Sequence, residues 1–160
     1  MGAVKLGLET TEAVRTAVSE MAGLSDQFLV ERMVPGFLAE LIVGINRDAQ
    51  FGPTLVIGAG GVLVELLRDS ANLLLPVSRV EVREAILGLK MAPLLQGFRG
   101  KPRGDVEAAV DAVMAVLAYV EANAETVVEL DVNPLMICAE GEGAYAADAL
   151  IRIVKDEDEE

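Results

Sequence analysis

The 160-residue chain has 52% hydrophobic residues, 26 acidic against 13 basic side chains, one cysteine and no histidine. A chain of this length forms one ordinary domain that buries roughly 70% of the surface it exposes when unfolded. Its net charge of −13 argues against nucleic-acid or anionic-membrane partners, whose phosphates demand the opposite sign. Cys138 alone permits neither an internal disulfide nor a cysteine-based metal site, which suits a reducing, cytoplasmic setting. Any histidine base, histidine metal ligand or phosphohistidine must be supplied by another chain or domain. The first twenty residues do not read as a leader peptide, and no apolar window is long enough to span a membrane.

In chain order, "GAVKLGL" alternates weakly and predicts a short strand. "TTEAVRTAVSEMAG" predicts an amphipathic helix capped by Thr10, with Val14, Val18 and Met21 on one face and Gly23 closing it. "QFLVERMVPG" and "FLAELIVGINRD" predict two strands joined by a Pro35-Gly36 turn. "PTLVIGAGG" predicts a strand running into a glycine bend. "VSRVEVREAILGL" predicts a helix capped by Ser78, "KMAPLLQGFRGKPRGD" a loop, and Asp105 caps the longest helix, over residues 106 to 122. "TVVELDVNPLMI" and "AYAADALIRIV" predict two strands around an "AEGEG" turn, and residues 155–160 predict a frayed acidic tail. Adjacent strands without intervening helices imply hairpins, hence an α+β class: a mixed or antiparallel sheet with helices packed on one face.

Three clusters carry candidate chemistry. In the terminal hairpin a turn near residues 140 and 141 pairs positions summing to about 281, so Asn133 faces Asp148; Glu129 and Asp131 share that face while Leu130 and Val132 turn inward. Pro134 lacks a backbone donor and marks an edge, bulge or bend. Oxygen donors in this arrangement suit Mg²⁺; equally, they serve as hydrogen-bonding groups at strand ends. Asp148 reads as a buried mid-strand carboxylate, an expensive thing to bury unpaired. Gly58, Gly60 and Gly61 form a bend whose amides can approach a phosphate, although a tight turn explains them as simply. Glu31 and Glu40 sit at the root of the predicted hairpin, as hydrogen-bond acceptors for a ligand or as solvated side chains.

"LVERMVPGFLAELIVGINRDAQFGPTLVIGAGGVLVELLRD", "LLQGFRGKPRGD", "VVELDVNPLMI" and "AADALIRI" together resemble, over nearly the whole chain, the ATP-grasp domain of NDP-forming acyl-CoA synthetases. These include ADP-forming acetyl-CoA synthetases and the succinyl-CoA synthetase β subunit. The resemblance implies an ATP-grasp fold, mostly its C-terminal portion, over residues 1–154. It implies that Glu31, with Met33 behind it, contacts adenine, that Glu40 binds ribose, that Gly60 and Gly61 lie beside the phosphates, and that Asn133 and Asp148 hold Mg²⁺. It assigns no catalytic nucleophile here: a phosphohistidine on a CoA-ligase domain or subunit exchanges its phosphoryl group with bound ADP or ATP. Arg47, Asp48 and Arg99 are family positions expected to serve structure or loop closure.

Three departures qualify these implications. The resemblance places Met1 downstream of the family's phosphate-gripping lysine and second histidine, so an N-terminally truncated domain, inactive alone and self-associating as a homo-oligomer, is expected. Leu73 stands where the family usually has arginine, and no ligase part is present. A nucleotide sensor or partner-binding module without catalysis is the alternative.

Overall fold

The computed structural model describes residues 2–48, 50–61 and 69–154, which divide into a compact unit up to Pro35 and a second from Gly36 onward. The predicted tail at 155–160 lies outside the described residues.

In the first unit, helix α1 spans Thr11–Met21, and the Thr10 hydroxyl accepts the Ala13 amide, as the cap residue requires. The two strands expected on either side of α1 are not formed: residues 2–9 and 28–34 are irregular. A strand exists only where a neighbour supplies its ladder. No described segment pairs with either, and Leu29 and Val30 stay 84% and 62% exposed.

The second unit is an antiparallel sheet backed by helices. Its strands are β1 (Ala39–Asp48), β2 (Gly52–Ala59), β3 (Ser70–Leu74), β4 (Val127–Ile137), β5 (Ala144–Ala146) and β6 (Ala149–Ile153). Their order is β3-β2-β1-β4, with β5 and β6 sharing the far edge of β4. Helices α2 (Arg79–Gly88) and α3 (Val106–Ala122) follow, linked by two tight helical turns at Ala92–Gln96 and Phe98–Gly100. Ser78 caps α2 through a reciprocal bond set with Glu81, and Asp105 caps α3.

Period-two alternation sends Leu41, Val43 and Ile45 of β1, Leu55 and Ile57 of β2, and Leu130 and Val132 of β4 to one face. Val82 and Ile86 of α2 and Val110, Val113 and Leu117 of α3 cover them. Both helices serve this single face, as the composition of the hairpins implied. Across α2 and α3, Arg79 pairs with Glu107 and Asp111, and Arg83 with Glu107.

Two strand boundaries differ from expectation. The segment "SANLL" is a strand although Ala71 and Asn72 are poor strand formers; β2 recruits it, register Leu55 to Leu73 and Ile57 to Ala71. The terminal strand is broken into β5 and β6 at Ala147 and Asp148. The cause lies opposite, at Pro134. Its carbonyl accepts the Ala147 amide at 3.0 Å, but it has no N–H to return, so the ladder lapses there. The same place carries the irregularity where β1 register shifts between Leu41 and Val43.

Candidate functional site

The register of the terminal hairpin is the expected one. Leu135 pairs with Ala146, Asp131 with Leu150 and Glu129 with Arg152, each of these summing to 281, and the register shifts by one only at Val127, which pairs with Ile153. Between them the Asn133 amide donates to the Asp148 carbonyl at 3.1 Å, which sets those two residues opposite one another. Alternation therefore puts Glu129, Asp131, Asn133, Asp148 and Arg152 on the face away from α2 and α3. The Arg152–Glu129 ion pair, at 3.1 Å, confirms that shared face. Gly44 of β1 lies opposite Asp131, and a Cβ there would meet the Asp131 carboxylate oxygen at 3.7 Å.

Asp131 is half-buried, and burial, then the charges of Glu129 and Asp148, push its carboxyl above the usual range. Asp148, by contrast, is exposed, in the gap between β5 and β6. The expectation of a buried mid-strand carboxylate is thus corrected: Asp148 lies in the break between β5 and β6, at the head of a strand that is exposed along its whole length.

Glu40 and the glycine bend meet. The Gly60 amide donates to the Glu40 carbonyl at 2.7 Å. A Cβ on Gly60 would lie 2.9 Å from the Glu40 Cβ, and one on Gly61, whose φ is +78°, 2.9 Å from the Glu40 Oε2. Only glycines let the bend close over this glutamate. The bend forms part of an apolar groove lined by Phe37, Ala39, Glu40, Ala59, Gly60, Met91 and Leu94.

Glu31 and Met33 belong to the first unit, on exposed irregular chain. The hairpin expected to carry Glu31 beside Glu40 does not exist, because residues 28–34 find no partner strand. Arg47 and Asp48 act as structure. Arg47 donates to the Ala124 carbonyl, and Asp48 accepts the Gln50 and Phe51 amides at 2.8 and 2.9 Å. The Phe51 and then Gln50 bonds hold the Asp48 carboxyl below its ordinary range. Leu73 packs against the helix-side core.

One residue beside this region escaped sequence reasoning. Asp69 is only 7% exposed, and its two oxygens accept the Lys90 and Met91 amides at 2.8 and 3.0 Å. Its carbonyl accepts the Ala59 amide. It ties the Met91 wall of the groove to the end of β2, and no spacing in the sequence announces a bond between residues so far apart.

Among the described residues no three His, Cys, Asp or Glu side chains form a group able to hold a metal ion by themselves. What the sheet offers is fewer and harder donors: an amide oxygen at Asn133 and a carboxylate at Asp148, with Asp131 beside them. That set fits Mg²⁺, which takes one or two protein oxygens and completes its shell with water and phosphate. It does not fit a soft or borderline ion that needs sulfur or imidazole.

The antiparallel six-stranded sheet with helices on one face is of the α+β class. The chain belongs to the ATP-grasp domain family, whose model matches residues 1–153. It is 37% identical over 112 residues to the β subunit of acetate–CoA ligase [ADP-forming] II from Pyrococcus furiosus, covering 70% of this chain and 48% of that one. It is 31% identical over 157 residues to the corresponding isoform I β subunit, covering 92% of this chain and 66% of that one. Among solved structures, acetyl-coenzyme A synthetase 1 from Ca. Korarchaeum cryptofilum superposes with a TM-score of 0.80 at 36% identity. The match covers 94% of this chain and 67% of that one, and that protein was captured with coenzyme A and Mg-AMPPCP. The chain spans about half or less of the length of the first curated relatives it matches. No described helix is long and apolar enough to cross a membrane.

Proposed function

We propose that this chain is the nucleotide-holding portion of an NDP-forming acyl-CoA synthetase, residues 1–154 acting as one ATP-grasp portion in the cytoplasm. The reaction supported is reversible: acyl-CoA, ADP and phosphate exchange with free acid, CoA and ATP. The observation that carries the reading is the Asn133–Asp148 pairing, on the same strand-built unit as the Glu40–Gly60–Gly61 bend.

In this reading Asn133 and Asp148 hold Mg²⁺, and Asp131 adds negative potential beside them. The bound ion supplies charge neutralisation for the nucleotide phosphates. Glu40 accepts hydrogen bonds from ribose hydroxyls, and the amides at Gly60 and Gly61 approach the phosphates where no Cβ intervenes. Glu31 and Met33 contact the adenine. The chain brings no nucleophile of its own: with no histidine in 160 residues, the phosphoryl carrier is a histidine of a CoA-ligase domain or subunit. Positioning and electrostatics are what such a transfer asks of this part.

Calorimetric titration of Mg-ADP into the purified chain tests the assignment. Wild type is expected to bind, and Asp148→Ala to lose about tenfold or more in affinity, since losing even an outer-shell partner of a metal ligand costs about that much. Unchanged binding in the variant would sink the metal assignment. A folded wild type that binds no nucleotide would instead favour a partner-binding module, which the Leu73 departure from the family arginine also suits.

A further inference from the structure

We propose that the loop Arg99–Arg103 is an anion-recognition site for a terminal phosphate group. In a chain of net charge −13, Arg99, Lys101 and Arg103 gather three of its 13 basic residues within five positions. All three are exposed. Among the described residues none of them forms an ion pair, although Arg79, Arg83 and Arg152 all do. The charges are therefore not consumed in holding the fold together.

Backbone geometry points the same way. Arg99 has φ 53° and ψ 41°, and it is the one non-glycine residue with positive φ among the described residues. Gly97 and Gly100 on either side adopt positive φ without strain. An arginine in the left-handed region is a cost that glycine would avoid, and such outliers concentrate where a side chain has a task. The Arg99 guanidinium is held over the Phe98 ring, 5.2 Å from its centroid, which fixes its direction while leaving its donors free. Arg103 packs its stem beside Gly97: a Cβ there would meet the Arg103 Cγ at 3.4 Å. The acidic turn that pairs with Gly104 contributes Glu140 and Glu142, and neither forms an ion pair with the loop.

The position of the loop gives the site a use. Met91 and Leu94 line the groove beside Glu40 and Gly60, and the turn Ala92–Gln96 that carries Leu94 ends at Gly97, where the cationic loop begins. Two phosphate sources share this chemistry. One is coenzyme A, bound in the Korarchaeum relative; the other is the nucleotide.

Magnesium-free titrations with inorganic pyrophosphate, coenzyme A and ADP at low salt test the proposal. The variants are Arg99→Gln/Lys101→Gln/Arg103→Gln, Arg99→Gly and Asp148→Ala. Wild type is expected to bind pyrophosphate, and the triple variant roughly tenfold more weakly, the product of three exposed ion pairs worth a factor of about two each. Arg99→Gly keeps the left-handed backbone, so its melting temperature is expected to stay unchanged while its affinity falls about twofold. Whichever of coenzyme A or ADP weakens with pyrophosphate identifies the source. No pyrophosphate binding by wild type, or equal binding by the triple variant, overturns the site. The proposal is independent of the nucleotide reading: Asp148→Ala is expected to leave magnesium-free pyrophosphate binding untouched, whatever it does to Mg-ADP.

Discussion

Asp105 shows how much one side chain can settle. Its Oδ1 accepts the Ala108 amide at 3.1 Å, capping α3, while its Oδ2 accepts the Gly141 and Gly143 amides at 2.9 and 3.1 Å. One carboxylate thus starts the longest helix and shapes the turn that delivers β5, and with it Asp148. The Ala108 bond foremost, then those from Gly143 and Gly141, lower its carboxyl against an opposing effect of burial. Asp105→Ala is expected to cost about 2 kcal/mol in denaturant unfolding, from the lost cap and unsatisfied turn amides. Because the folded value is depressed, this stability is present above the unfolded value near 3.8 and is lost as pH falls through the folded one. The gap between wild type and variant should therefore narrow in acid; a gap constant with pH would contradict the charged bond.

Elements meet at Asp69, whose backbone carbonyl holds the end of β2 and whose buried carboxylate holds the chain leaving α2. Asp69→Ala leaves two amides without their acceptor and is expected to destabilise by about 2–3 kcal/mol. Asp69→Asn, which keeps one acceptor oxygen, should recover part of that loss. Equal destabilisation by both in urea titrations would mean that packing, not the bonds, holds the junction. The contrast with β4 is instructive. There the alternation of Leu130, Val132, Leu135 and Ile137, interrupted at Asn133–Pro134, could be read directly, and so could the pairing of Asn133 with Asp148. Asp69 gave no such signal, because its partners lie 21 and 22 residues away.

Over the whole molecule, two features oppose each other. Strand β6 pairs with β4 along one edge, and Leu150, Ile151 and Ile153 are 59%, 45% and 57% exposed. Apolar strand edges of this kind invite pairing, while a net charge of −13 repels a second copy. Self-association is therefore expected to strengthen with added salt, which screens the charge. Light scattering at low and high salt measures this, and a monomer under both conditions would refute it.

The sequence by itself determined what depends on neighbours along the chain. Thr10, Ser78 and Asp105 begin their helices because a cap bonds amides two or three residues away. The terminal hairpin keeps its register because strand period and turn length admit no slip without exposing Leu130 and Val132. Tertiary structure alone decided which apolar stretches became strands. "SANLL" gained a ladder from β2, whereas "QFLVERMV", richer in strand formers, found no partner and stayed irregular. It alone also left Asp148 exposed, at the head of a strand that nothing buries, and closed Gly60 over Glu40. Strand bonds and close contacts are completed by atoms distant in sequence, and no local pattern records whether those atoms arrive.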